Sequence, residues 1–347
     1  MNTLIERIPL VDEAAYAAAQ DAYDGKTKPR GSLGRLEALG CRIAAIRGAV
    51  PATLEAAVVV AAADHGVAAE GVSAYPQEVT AQMVLNFAAG GAAINVLARQ
   101  AGARLIVVDA GVVVPVEHEL VRPLRLGPGT ANIAVGPAMT VGLATLGIES
   151  GVRLAEELAD EGVDVVALGE MGIGNTTSAS ALAARLLGVE PALVCGRGTG
   201  LDDEGVSRKI ATVERALAVN TAGAGDPLAV LAELGGFEIA VLAGVALGCA
   251  ARNAVVVLDG FITGAAALVA VALAPDAAGA MIASHRSPEP GHRLILDRLG
   301  LEPVLDLGLR LGEGSGAALA LPLLRASIAV LNEMATFGDA GVTDAGR

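Results

Sequence analysis

Short apolar, β-branched runs alternate along this chain with Ala- and Leu-rich stretches of helical length. Repeated βαβ units produce that alternation, so it predicts an α/β fold: a mostly parallel, Rossmann-like sheet flanked by helices. Runs at 56–66 (AAVVVAAADHG), 104–111 (RLIVVDAG), 164–172 (DVVALGEMG), 192–200 (ALVCGRGTG), 254–261 (AVVVLDGF), 278–287 (AGAMIASHRS) and 303–314 (PVLDLGLRLGEG) read as strands. They close on Asp64, Asp109, Glu170, Gly196, Asp259, Ser284 and Glu313. Open α/β sheets bind ligands outside the carboxyl ends of their strands, so these residues are expected to line one crevice.

The two ends of the chain break this rhythm. Helical stretches at 11–23 and 33–48 are joined by KTKPRGSLGR, and 317–337 reads as a long helix with Ser315 as its N-cap. Residues 1–50 plus 315–347 are therefore expected to form a small helical subdomain beside a large α/β catalytic domain, 51–314. The tail beyond Phe337 is expected to fray.

Composition narrows the picture. Hydrophobic residues make up 53% of the 347, yet there is no Trp and aromatics reach only 2%, so the core must be built from Ala, Val, Leu and Ile. The 24 bases against 38 acids leave a net charge of -14, which repels nucleic acid and anionic membrane surfaces. Cys41, Cys195 and Cys249 are scattered and odd in number, as expected of buried thiols in a reducing cytoplasm. Acidic residues stand where an export signal needs a basic segment, and the longest uncharged stretches are short or broken by Pro, Asn and Gly. A soluble cytoplasmic protein is expected.

Several chemistries lack their motifs: no Walker loop contains Lys26, Lys28 or Lys209, and there is no GxGxxG, HExxH or GxSxG. No metal and no cofactor are expected. What remains is a set of glycine-rich turns. GEMGIGNTTSASAL (169–182) sets Glu170 at a strand end and Gly172, Gly174, Asn175, Thr176 and Thr177 at a helix start, where free amides suit an anion. GRGTGLDDEGVSRK (196–209) and SHRSPEPGH (284–292) offer two more such turns, although each alone is also ordinary loop chemistry. LGEGSGAAL (311–319) presents Glu313 among glycines that let backbone crowd a ligand.

With ADHGVAAEGVSAYPQEVTAQM, LDGF and KPRGSLGRLE, these segments in this order resemble the nicotinate-nucleotide:dimethylbenzimidazole phosphoribosyltransferase family. The resemblance runs from about Lys28 to about Met334. It implies attack of an aromatic base nitrogen on C1′ of nicotinate mononucleotide, release of nicotinate and formation of an α-ribotide for cobalamin. It also implies a homodimer. Position by position it makes Glu313 the general base and Glu170 a second carboxylate of the crevice. Gly172, Gly198, Ser287 and Lys209 fall on the mononucleotide, with Lys209 and backbone amides on its phosphate; a surface helix lysine is the alternative reading of Lys209. Asp259 falls near the ribose, or serves as N-cap of the following helix. His65 and His285 read as structural residues. Tyr75, Gln82, Met83, Met171 and Leu311 fall around the incoming base; relatives can carry serine and glutamine in place of Tyr75 and Met83, so this pocket is expected to be apolar and adaptable. Arg30 departs from the apolar or proline residue usual there. Two other readings fit an α/β crevice with anion-binding turns: a nicotinamide-dependent oxidoreductase, which the missing GxGxxG disfavours, and a noncatalytic nucleotide-binding protein, in which Glu170 and Glu313 would be dispensable.

Overall fold

The computed structural model describes residues 7–198, 200–221, 223 and 225–343. Six strands form one parallel sheet: β1 (Ala56–Ala63), β2 (Arg104–Gly111), β3 (Val121–Pro123), β4 (Val165–Met171), β5 (Val255–Leu258) and β6 (Met281–Ala283), in the order β3-β2-β1-β4-β5-β6. The helices are α1 (Glu13–Asp24), α2 (Arg35–Arg47), α3 (Val79–Ala88), α4 (Ala93–Gln100), α5 (Val141–Asp160), α6 (Asn175–Leu187), α7 (Asp203–Val219), α8 (Pro227–Leu234), α9 (Phe237–Ala251), α10 (Phe261–Leu273), α11 (Pro290–Leu299), α12 (Ser315–Glu333) and α13 (Phe337–Ala340).

Central β1 is buried at every position, which is why its sequence is a continuous apolar run rather than an alternation. Its register pairs Ala62 with both Asp109 and Met171, so the strand ends lie level and their loops emerge on one edge. Strand order reverses direction at β1 and β4, where a ligand crevice opens in such sheets.

Small residues let helices approach the core closely. On α5, a Cβ added at Gly151 would stand 2.0 Å from the Val241 carbonyl oxygen, and one at Gly244 on α9 would stand 2.0 Å from that of Ile148. The Ala- and Gly-rich composition is thus a packing requirement at this interface.

The terminal helices α1, α2 and α12 pack together. The Tyr23 hydroxyl donates to the Ser327 carbonyl at 2.7 Å, and Lys28 and Glu37 form a buried ion pair at 2.8 Å. The same α12 also packs on α4 and β4, and Arg42 of α2 donates to the carbonyls of Ala278 and Met281.

Four local expectations are corrected. The 192–200 segment is a 3-10 turn, Pro191–Leu193, followed by loop; an apolar run this short does not distinguish strand from helical turn, and Pro191 fixes the turn conformation. The 303–314 segment contributes only an isolated bridge from Leu305 to His285, because its glycines and exposed side chains give it little to pack. Ser315 is the first helical residue of α12, and the capping position is Gly314. Beyond Phe337 the chain continues as α13, tied back by Phe337 N–H donating to the Gly25 carbonyl and by the Thr336–Asp339 capping box; positions 344–347 lie outside the described residues.

Candidate active site

A cleft of about 390 Å³ opens at the carboxyl edge of the sheet beside β4. Its chemistry centres on Glu170 and Glu313, which come from distant parts of the chain. Two glycines bring them together. Gly169 lies against the backbone of residue 313, where an added Cβ would stand 2.4 Å from the Glu313 carbonyl oxygen. A Cβ at Gly312 would stand 2.4 Å from Glu170 Oε1.

Glu313 has φ +63°, an unusual left-handed conformation for a glutamate, between Gly312 at +84° and Gly314 at +85°. Three consecutive left-handed residues turn the chain into α12 and direct the carboxylate at the cleft, where Oε2 accepts the Ile94 N–H at 3.4 Å. Burial raises the Glu313 pKa; the Ile94 amide opposes that shift and the Asp259 charge adds to it. Glu170 Oε2 accepts from Asn175 Nδ2 at 2.5 Å. Burial lifts its pKa to about 8, Asn175 opposing and neighbouring carboxylates adding, which favours the protonated form. Two carboxyl groups thus share one cleft with different ease of ionisation.

Asp259 is neither on the cleft surface nor the cap of the helix that follows it. Its Oδ1 accepts the N–H groups of Gly316 and Ala317 at 2.7 and 3.1 Å, and its Oδ2 that of Gly314 at 3.2 Å. It caps α12 from across the sheet, because β5 ends directly beneath that helix start. Asp64 and Asp109 likewise accept backbone N–H groups, of Val113 and Val112, and pin loops. The Ser284 hydroxyl is buried on the Asp259 carbonyl.

Gly172, Asn175, Thr176, Gly198 and Ser287 line the cleft. Gly174, at φ +92°, stands just behind as the residue that starts α6. Lys209 is 0% exposed: its Nζ donates to Thr176 Oγ1 at 2.9 Å and to the Gly196 carbonyl at 3.4 Å, behind the wall that Gly198 forms. Burial lowers its pKa, with the Glu289 charge opposing. It is therefore neither a surface lysine nor a wall residue. The Gly198 amide donates to Glu289 Oε1 at 3.0 Å. Ser287 is held by its N–H, which donates to His292 Nδ1 at 3.0 Å; burial first, then His285, pushes the His292 pKa down to about 4, keeping the ring a neutral acceptor.

Tyr75, Met83, Met171 and Leu311 form an apolar wall beside the carboxylates. Gln82 does not join them: Val79 and Met83 share the cleft-facing side of α3, and Gln82 lies ~100° around the helix, exposed. His65 is fully buried between Ser178 Oγ at 3.0 Å and Glu238 Oε1 at 2.8 Å, a structural role, whereas His285 does line the cleft. Sequence reasoning missed Glu289 and Arg310 on this surface. Arg310 stands three positions before Glu313 in the segment that leads into its turn, which was the available signal. Among the described residues, no group of three or more His, Cys, Asp or Glu side chains is arranged to hold a metal ion.

A parallel α/β sheet, a nucleotide-sized cleft at its strand reversal and paired carboxylates beside glycine-rich turns define a nucleotide-handling enzyme class. A family model described as phosphoribosyltransferase matches residues 8–342. The chain is 56% identical over 347 residues to the nicotinate-nucleotide–dimethylbenzimidazole phosphoribosyltransferase of Chloroflexus aggregans, covering 99% of this chain and 98% of that one. It is 55% identical over 346 residues to the enzyme of the same name from Roseiflexus sp., with the same coverages. The crystal structure of nicotinate-nucleotide-dimethylbenzimidazole phosphoribosyltransferase from Thermus thermophilus superposes with a TM-score of 0.90 at 49% identity, over 96% of this chain and 99% of that one. The chain belongs to the nicotinate-nucleotide–dimethylbenzimidazole phosphoribosyltransferase family.

Proposed function

We propose that this protein moves the 5-phosphoribosyl group of nicotinate mononucleotide to 5,6-dimethylbenzimidazole or a related base, releasing nicotinate and forming the α-ribotide used in assembling the nucleotide loop of cobalamin. Beyond family membership, the observation that carries this reading is Glu313, a carboxylate of raised pKa held at the end of an apolar wall built for a planar ring. Nicotinate departs from a pyridinium and needs no protonation. The protein's tasks are to hold both substrates in line, stabilise positive charge developing on the ribose and accept the proton of the benzimidazole nitrogen.

The division of labour follows from where the two side chains stand. Glu313, presented by the left-handed 312–314 turn at the end of the apolar wall, is the group that takes the base proton. Glu170, whose pKa burial lifts to about 8, accepts from Asn175 at the start of α6 and holds that turn against the cleft. Attack on the face of C1′ opposite nicotinate turns the β configuration into α. The protein acts in the cytoplasm and needs neither nucleic acid nor membrane, readings that buried free Cys41, Cys195 and Cys249 and the net negative charge support; that it acts as a homodimer rests on the family resemblance alone.

Incubation of the pure protein with nicotinate mononucleotide and dimethylbenzimidazole, with no metal or redox cofactor added, tests the activity. Free nicotinate appearing with the ribotide in equal amount is the expected outcome. Absence of nicotinate release would remove this function, and sedimentation as a monomer would remove the dimer.

A further inference from the structure

Helix α3 divides its work between two faces. Val79 and Met83, one helical turn apart, look into the cleft. Thr80 lies ~100° around the helix from Val79 and is fully buried behind that face. Its Oγ1 accepts the Ile173 N–H at 3.1 Å. Ile173 belongs to the turn that leaves β4 for α6, and together with Met171 it lines the same cleft as Met83. The hydrogen bond therefore joins two of the segments from which the apolar side of the cleft is built, through a side chain that stands outside it.

The turn needs such a hold. Ile173 stands between Gly172 and Gly174, and glycines on both sides leave a backbone with many accessible conformations unless its polar groups are engaged. Close packing fixes one side, where a Cβ added at Gly172 would stand 2.5 Å from the Ala63 carbonyl oxygen. The Thr80 hydroxyl fixes the other: among the described residues, no further hydrogen bond links α3 to residues 172–174. The same hydroxyl stands beside the Asp64 carboxyl at the end of β1. Burial raises the pKa of that group, and the Val113 amide and the Thr80 hydroxyl lower it. Thr80 is thus tied to the sheet as well as to the turn.

We propose that Thr80 is a positioning residue that sets selectivity for the incoming base: its hydroxyl fixes Met83 of α3 relative to Met171 and Ile173 of the β4–α6 turn, and with them the shape of the apolar surface that meets the ring. The proposal rests on the function given above and adds to it a residue that lies behind the cleft. A surface whose parts are held in fixed relation discriminates planar ligands by shape. One whose parts move independently adapts to each ligand and discriminates less.

The experiment is equilibrium binding of dimethylbenzimidazole and unsubstituted benzimidazole to the parent, Thr80→Val and Thr80→Ser, with nicotinate release and melting temperatures measured in parallel. Thr80→Val keeps the volume and leaves the buried Ile173 N–H without its acceptor; Thr80→Ser keeps the hydroxyl and removes the methyl. Dimethylbenzimidazole is expected to weaken ~5- to 30-fold in Thr80→Val and benzimidazole less, so that the ratio of the two affinities moves toward one. Thr80→Ser is expected to hold the parental ratio even where its melting temperature falls. A lowered melting temperature in Thr80→Val with an unchanged ratio would make Thr80 merely structural and overturn the assignment, as would a ratio that shifts equally in both variants. Should Thr80→Val not fold, Thr80→Ala takes its place, since it differs from Thr80→Ser by the hydroxyl alone. A parent that binds the bases but releases no nicotinate, with the ratio shifted in Thr80→Val, would remove the proposed activity and leave the Thr80 assignment standing; normal nicotinate release with the parental ratio in Thr80→Val would do the reverse.

Discussion

The Asp259 carboxylate accepts the Gly316 N–H at 2.7 Å, so the end of β5 caps the helix that starts beside Glu313. Three backbone donors converge on this one side chain, and Asp259→Ala leaves all three without their acceptor. Loss of a helix cap costs ~0.5–2 kcal/mol. The expected result is a lower melting temperature together with reduced turnover, because the 312–314 turn loses its anchor. A variant as stable and as active as the parent would show that the turn is held without Asp259.

Glu313→Gln should retain nucleotide binding and lose most turnover, because an amide cannot take up the base proton. Removal of a general base typically lowers the rate ~100- to 10,000-fold. In the parent, turnover should fall on acidification as Glu313 is protonated, at a pH above the ordinary carboxylate range. Steady-state rates across pH check both points. Near-parental turnover in Glu313→Gln would move the proton to another acceptor.

Glu170 makes the opposite contribution to stability from that of a salt-bridged acid. Its folded-state pKa of about 8 exceeds the ordinary carboxylate value of 4.5, so between those values the folded protein holds a proton that the unfolded chain has released. Stability from this group therefore falls as pH rises through that window and levels off above it. Glu170→Gln keeps a carbonyl acceptor for Asn175 and removes the titration. Denaturant melts at several pH values should show a shallower decline in the variant; identical slopes would mean that Glu170 is already ionised in the folded protein.

The base wall makes its own prediction. Tyr75 and Met83 supply an aromatic face and a thioether with few directional demands, so discrimination among planar bases should follow shape. Apolar discrimination of this kind is worth ~1–3 kcal/mol per methylene-sized difference. Competition among dimethylbenzimidazole, benzimidazole and adenine should give different product ratios in the parent and in the Tyr75→Ser, Met83→Gln double variant. Unchanged ratios would remove these side chains from base recognition.

The parallel sheet was legible because β1, β2, β4 and β5 are buried runs ending in polar residues, a pattern with few alternatives. The third strand was not: VRP is too short and too polar to signal, and it exists because the loop after β2 lies back against its edge. Glu170 and Glu313 could be picked out from their glycine neighbours, since close backbone approach is a local property. The role of Asp259 could not, because its partners lie more than fifty positions away and a strand-end aspartate before a helix looks like that helix's own cap. Lys209 shows the same limit. Helical spacing placed it near the turn, but whether its ammonium faces ligand or protein depends on Thr176 and Gly196 folding over it.

The left-handed backbone at Glu313 bears on how such a protein can change over time. A non-glycine residue in that conformation costs on the order of 1–3 kcal/mol, and here it is also a buried acid near Asp259. Glu313→Gly relieves both penalties at a stroke. Selection for heat resistance alone would thus drift toward an inert protein with a better-settled fold, and a library screened only for survival at high temperature should be enriched in chains that have given up this glutamate.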